Sequence, residues 1–276
     1  MSAIEVEKAE LTLGAGLQVE KMPAHWLMAR LGKRVLRPGG REATSWMLGQ
    51  AAIGPLDDVV EFAPGLGITA RQILSAAPRT YVGVERDEAA VQHASRSIAS
   101  ARHGRARVVQ GDASKVPLED GVASVVVGEA MLSMQPESRK AAIVHEAARL
   151  LRAGGRYAIH ELAVNEDTDP DRLAQIQAEL SKTIHVGVRI GRASDWRALL
   201  EGAGLQVEAE TIVPMRLLEL DRLVADEGIL GVTRFTLNTL RTPGALKRLS
   251  EVRASFRRHA DKLCAISLVA RRPASP

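Results

Sequence analysis

Cysteine is nearly absent: the 276 residues contain one, Cys264. A lone thiol excludes an internal disulfide and any metal site built from several cysteines, and no metal centre is expected. No apolar run approaches the roughly 20 residues that span a bilayer. The N-terminus lacks the basic-then-apolar pattern of a secretory signal, so the cytoplasm is the expected location. No internal repeat or low-complexity tract stands out. What is present is ordinary for a soluble globular protein, with 46% hydrophobic and 25% charged residues. The length allows one large α/β core with appendages, or two modest domains. The net charge of +4 is unevenly placed. Residues 216–262 hold ten Lys/Arg and six Asp/Glu, leaving 27 of each sign elsewhere. That surplus reads either as a solvated helix face or as attraction to an anionic substrate or lipid headgroup.

The stretch that organises the chain is Asp57 to Gly67, DDVVEFAPGLG. Val59, Val60 and Phe62 make an apolar run of the length of a buried parallel strand. Residues 63–67 turn the chain, and Ala70, Ile73, Leu74 and Ala77 then recur on one helical face. Strand, tight turn and helix form a nucleotide cradle: the turn brings bare backbone to a ligand, and the helix N-terminus offers unpaired N–H groups. Two cradles compete. The dinucleotide fingerprint G-x-G-x-x-G is met only if Gly65 and Gly67 are its first pair and Ala70 replaces its third glycine. The alternative is Glu61-x-Ala63-x-Gly65-x-Gly67, an acid followed by small residues at every second position. It resembles motif I of the class I S-adenosylmethionine-dependent methyltransferases, E/D-x-G-x-G-x-G. The departure is Ala63, which keeps the turn possible if its φ stays negative.

Further segments extend the resemblance. Thr80 to Glu85, TYVGVE, reads as a second strand, with Asp87 capping the helix that follows. Glu85 lies roughly 20 residues beyond the glycine turn and can accept both ribose hydroxyls, of NAD as well as of S-adenosylmethionine. Its neighbour Arg86 is counted with the cofactor residues. Residues 106–111 form a third strand, and Asp112-Ala113 with Val116-Pro117-Leu118 resembles the family's next signature. The resemblance implies that Asp112 accepts from the adenine amino group and that the Ala113 N–H donates to the ring. Val122 to Gly128 is a fourth strand; Glu129 and Met131 behind it are expected on the cofactor's sulfonium side, and Met134 toward the acceptor. The Asn/Asp-Pro-Pro-aromatic motif with which nucleic-acid amino-methyltransferases hold a flipped base is missing, so no nucleic acid is expected. Pro136 opens a helix that Gly154-Gly155 closes. Arg156 to Leu162 is a fifth strand, with His160 and Glu161 at the end where open parallel sheets keep their sites. Strand side chains alternate, so one of the two is expected to face substrate.

The resemblance covers residues 57–163 and, less fully, the last strand pair, Leu205 to Val213 and Cys264 to Ala270. It implies an α/β fold: a doubly wound, mostly parallel seven-stranded sheet whose last two strands form an antiparallel hairpin. Met22 to Leu31 and Arg41 to Ala52 read as helices ahead of the first strand, and Asp169-Pro170 and Ser194 as the starts of two later ones. The hairpin is interrupted by residues 214–262, read as two or three helices including a basic amphipathic one from Ala245 to His259. The expected division is 1–54, an arm and lid helices; 55–213, the cofactor core; 214–262, a helical substrate cap; and 263–276, the last strand and tail.

The nearest-looking group comprises the ubiquinone and menaquinone C-methyltransferases and related small-molecule enzymes. The cofactor implied is S-adenosylmethionine, with S-adenosylhomocysteine as product. A sulfonium methyl is already electrophilic, so the protein must align an oxygen, nitrogen or carbon nucleophile and exclude water. A poorly acidic hydroxyl would also need a general base, for which His160 and His185 are the candidates. Trp26, Met134 and Glu161 are the expected substrate contacts. The apolar content of the segments without a motif suggests a hydrophobic small-molecule acceptor, such as a quinone, polyketide, terpenoid or lipid. Weak contact with anionic lipid through the basic insert is a further expectation. Three readings stay open beside this one: a nicotinamide-dependent oxidoreductase, a non-catalytic cofactor-fold protein acting through its basic insert, and a protein that uses S-adenosylmethionine for something other than methylation.

Overall fold

A computed structural model describes residues 17–101 and 103–274. Its centre is β1 (Asp58–Phe62), hydrogen-bonded in parallel to β2 (Thr80–Glu85) on one side and to β4 (Ala123–Glu129) on the other. These strands are buried on both faces, which is why they read as continuous apolar runs rather than alternating ones. β3 (Ala106–Gln110) pairs with β2, and β5 (Leu151–Val164) with β4. β8 (Leu263–Arg271) runs antiparallel between β5 and β7 (Gln206–Pro214). The order is therefore β3-β2-β1-β4-β5-β8-β7, and a two-residue β6 (Gly191–Arg192) is added to the end of β5.

Helices cover both faces. On one side α5 (Glu137–Leu150) and α7 (Ala193–Glu201) bury Ile143, Ala147, Leu150, Trp196 and Leu200 against Phe62, Val126 and Ile159. On the other, α2 (Gly40–Ala51), α3 (Ile68–Ser75) and α4 (Glu88–Ala99) bury Met47, Ile73 and Ile98 against Val59, Val125 and Val269. A third cluster joins α1 (Ala24–Arg30), α6 (Pro170–Ile184), α8 (Leu220–Arg241) and α9 (Ala245–Arg258) through Leu27, Leu31, Leu180, Phe235 and Val252. α8 is broken at Gly228, whose φ of 71° and ψ of 170° only glycine adopts readily.

Several local expectations change. Ala63 has φ +51°, not a negative value, and its N–H donates to the Val84 carbonyl at 2.8 Å. α5 ends at Leu150 without a glycine cap. Gly154 and Gly155 instead lie in an irregularity of β5, between Leu151, which faces Ala123, and Arg156, which faces Val125. Ser194 does not cap α7. The Arg192 N–H is taken by the Asp195 carboxylate at 2.8 Å, while the Ser194 hydroxyl donates to Glu166. Asp87 and Asp169 do cap their helices, accepting from Ala90 and Arg172 at 2.9 Å.

Candidate active site

The carboxyl ends of β1, β2 and β4 open onto a cavity of about 590 Å³. Its floor is the turn Ala63–Leu66. Gly65 has φ +51°, and a Cβ added there would meet nothing closer than the Ala63 carbonyl at 3.9 Å, so bare backbone faces open space. Gly67 serves differently: its φ is +68°, and a Cβ would lie 2.7 Å from that of Ser97, so this glycine lets α3 approach α4.

Glu85, Arg86, Asp112 and Ala113 line one side of the cavity. The Glu85 carboxylate is held by backbone N–H groups of Gly65 (3.1 Å), Arg86 (2.8 Å) and Asp87 (3.3 Å). Burial pushes its carboxyl above the ordinary range against those three donors. Asp112 accepts from the Ser114 N–H at 2.9 Å and hydroxyl at 2.7 Å and pairs with Arg139 at 2.5 Å. Partial burial pushes its carboxyl up, and these partners outweigh that and hold it below the ordinary value.

Beneath the turn are two buried carboxyls of opposite behaviour. Glu61 has one strong side-chain donor, the Tyr81 hydroxyl at 2.6 Å, and burial pushes it up to about 8. Glu129 is also buried, but Arg37 lies 3.0 Å away, His160 Nδ1 3.0 Å and the Thr44 hydroxyl 2.6 Å, and Thr69 donates as well. Burial alone would raise Glu129; Arg37 first and His160 next outweigh it, and the carboxyl sits at about 2. Both line the cavity. A site of this kind, open backbone over a turn with one protonated and one ionised carboxyl beneath, fits a cationic nucleoside.

Trp26, Met131 and Met134 also line the cavity. Three expected contacts do not. His160 is fully buried, and its Nε2 accepts the Gly39 N–H at 3.0 Å, so its proton is on Nδ1, facing Glu129. With both ring nitrogens committed it has no lone pair for a substrate, and it acts as a pin between β5 and the chain at Gly39. His185 is exposed at the C-terminal end of α6. Glu161 is fully buried and accepts the N–H groups of Met131 (2.9 Å), Leu132 (2.8 Å) and Ser133 (3.0 Å), fixing the turn that carries the two methionines. No residue of 214–262 lines the cavity, although that insert was expected as its cap.

The strap 31–40 does what the cap was expected to do: Arg34, Leu36 and Arg37 line the cavity. Lid helices were expected within residues 1–54; the strap between two of them is what reaches the cavity here. Gly39 and Gly40 pass between fixed walls, a Cβ on Gly39 falling 2.8 Å from His160 Nε2 and one on Gly40 2.6 Å from Asp226 Oδ1. His25 was also missed as a lining residue. It is half-buried beside Trp26, ring centroids 4.8 Å apart, and burial pulls its imidazole down to about 4, so it is neutral near pH 7.

Residues 59–155 match the family described as a methyltransferase domain. These residues form a methyltransferase domain with the class I S-adenosylmethionine-dependent methyltransferase fold. An uncharacterized protein of Haemophilus influenzae is 30% identical over 219 residues, 79% of this chain and 85% of that relative. Among solved structures, geranyl diphosphate C-methyltransferase from Streptomyces coelicolor aligns with a TM-score of 0.59 at 15% identity, over 84% of this chain and 78% of its own. The cyclase SpnF aligns at 0.68 and 15%, over 92% and 97%. At such identities these two report on the fold.

Proposed function

We propose that the protein transfers the methyl group of S-adenosylmethionine to a small, hydrophobic acceptor bound between Trp26 and the turn at Met131–Met134. The observation that carries this reading is that Glu85, at the end of β2, and Asp112, two residues beyond β3, face one cavity floored by Ala63–Leu66. Glu85 would take the ribose hydroxyls, Asp112 and the Ala113 N–H the adenine edge, and the Gly65 backbone would lie against the amino-acid end. The cofactor supplies an electrophilic methyl group. The chain's part is to orient the acceptor in line with it, on a wall formed by Trp26, Leu36, Met131, Met134, Ile143 and Val186, and to keep water away. His25 is the one histidine of that lining and holds a neutral imidazole that can accept a hydrogen bond from an acceptor hydroxyl.

Calorimetric titration tests the cofactor reading. S-adenosylhomocysteine is expected to bind saturably, and Glu85→Ala to weaken it by at least about tenfold, as loss of a bidentate charged acceptor should. NAD is expected to give no heat; stabilisation by NAD with none by S-adenosylhomocysteine would transfer the site to a nicotinamide enzyme. A tritiated methyl donor offered with apolar phenols, quinols and prenyl compounds, geranyl diphosphate included, then tests the acceptor class. Methyl incorporation only into small polar amines would overturn the hydrophobic assignment.

A further inference from the structure

The second half of α8, beyond the break at Gly228, is turned the wrong way for an ordinary surface helix. Phe235 and Thr239 are buried on its inner side. On its outer side Ile229, Leu230, Leu237 and Leu240 are 76, 86, 44 and 65% exposed. At 3.6 residues per turn these four share one face about 100° wide. Leu246, in the first turn of α9, extends the face and is 60% exposed. Apolar stripes of this size on a soluble protein mark a contact surface. Within this stretch of chain the charge has one sign, with Glu20 beside Gly244 and Glu251 one turn beyond Lys247 as the acids at its edge. Residues 228–250 contain no Asp or Glu, and Arg241 and Lys247 are exposed there with no carboxylate partner among the described residues.

We propose that this face docks on an anionic lipid surface, with the four apolar side chains entering the headgroup region and Arg241 and Lys247 meeting lipid phosphates. A helix with an apolar face flanked by Lys and Arg lies in such an interface, where burial and charge attraction add. A second copy of the chain is a poorer occupant: a twofold contact sets the patch against itself and brings Arg241 and Lys247 toward their own counterparts. The inner side of the same helix reaches the strap, Arg234 donating to the Gly32 carbonyl at 3.0 Å and Asn238 to that of Leu31 at 3.1 Å. The docked helix therefore lies one helix thickness from the chain that lines the cavity. Binding to lipid by this face stands whether or not the methyl acceptor is itself lipid-soluble.

Cosedimentation of the full chain with vesicles tests it, using phosphatidylcholine alone or mixed with phosphatidylglycerol in equal parts. The expected result is pelleting with the anionic vesicles only, reduced by salt. The double variant Leu230→Glu/Leu237→Glu should lower that partition at least about tenfold with an unchanged circular dichroism spectrum and S-adenosylhomocysteine affinity. Leu56→Glu, at an exposed apolar residue ahead of β1, should behave as wild type. Wild-type protein remaining in the supernatant with anionic vesicles, or the double variant pelleting like wild type, overturns the proposal. So does sedimentation velocity showing a dimer that the double variant dissociates, since the face would then belong to a second copy.

Discussion

Glu61 holds a proton at neutral pH because burial strips its water and the Tyr81 hydroxyl and the more distant Arg37 do not offset that loss. Its folded-state value of about 8 exceeds the ordinary 4.5. Between those values the folded chain binds a proton that the unfolded chain releases, so this residue's contribution to stability falls as pH rises through that window. A cationic cofactor bound in this cavity would favour the ionised carboxylate and so oppose that proton. Affinity for S-adenosylmethionine is therefore expected to rise between pH ~6 and ~8, with proton release detectable by calorimetry in buffers of different ionisation enthalpy. Glu61→Gln should abolish both effects; a wild-type affinity independent of pH would contradict the assignment. Ala63, two residues on, makes a separable prediction. Its left-handed φ costs an L-residue roughly 1–2 kcal/mol, and glycine would give back roughly 0.4–1 kcal/mol through the unfolded chain. Ala63→Gly is thus expected to raise stability by roughly 0.5–1 kcal/mol in urea unfolding. The motif was legible here from its spacing, but the sign of φ was not. The Ala63 N–H meets the Val84 carbonyl, a partner 21 residues away that the local pattern does not show.

The strap 31–40 and α8 show why the rest of the site was not legible. Strand, turn and helix at β1 and β2 are local, and each segment announces itself through its own pattern. The strap has no such pattern, because what holds it lies nearly 200 residues later. Glu227 accepts the Arg34 and Val35 N–H groups at 2.9 and 2.8 Å and pairs with the buried Lys33 at 3.5 Å. Asp226 accepts the Arg41 N–H at 2.9 Å, and Arg222 donates to the Gly39 carbonyl. His160 and Glu161 were misassigned for a related reason. A polar pair at the carboxyl end of a central strand marks either a reaction site or the fixing of the loops around one, and only the positions of Gly39 and Met131–Ser133 distinguish the two. Glu227→Ala should strand the Lys33 ammonium in the interior and cost about 3 kcal/mol. Hydrogen exchange is expected to quicken across residues 33–41 while β1 and β4 stay protected. Affinity for S-adenosylhomocysteine should fall in step, since Arg37 then loses its place over Glu129; unaltered exchange in the strap would show that α8 does not hold it. Lys33→Met/Glu227→Gln, which removes the stranded charge, should recover part of the stability.

At the scale of the whole molecule, the position of the insert was readable from length alone, but not its role. A stretch of helices between two paired strands has the same amphipathic signal whether it closes over a cavity or packs beside one. Here it packs beside one, sharing a core with α1 and α6: Met22, Leu27 and Leu31 meet Phe235, Leu249 and Val252, together with Ile176 and Leu180. The insert is thus not separable from residues 22–31, although the two stand about 200 residues apart. The hairpin itself does not need it. Pro214 pairs directly with Cys264, so the strand ends already lie side by side and a short turn could join them in place of residues 215–263. Such a deletion would leave β7 and β8 able to pair, but would uncover the apolar faces of α1 and α6 and release the strap. The expected product aggregates, or stays soluble while binding S-adenosylhomocysteine at least about tenfold more weakly, because ordering the strap then costs backbone entropy that α8 no longer offsets. A soluble deletion variant with wild-type affinity would show instead that the cofactor core holds its own strap, and that α8 and α9 serve the outer surface alone.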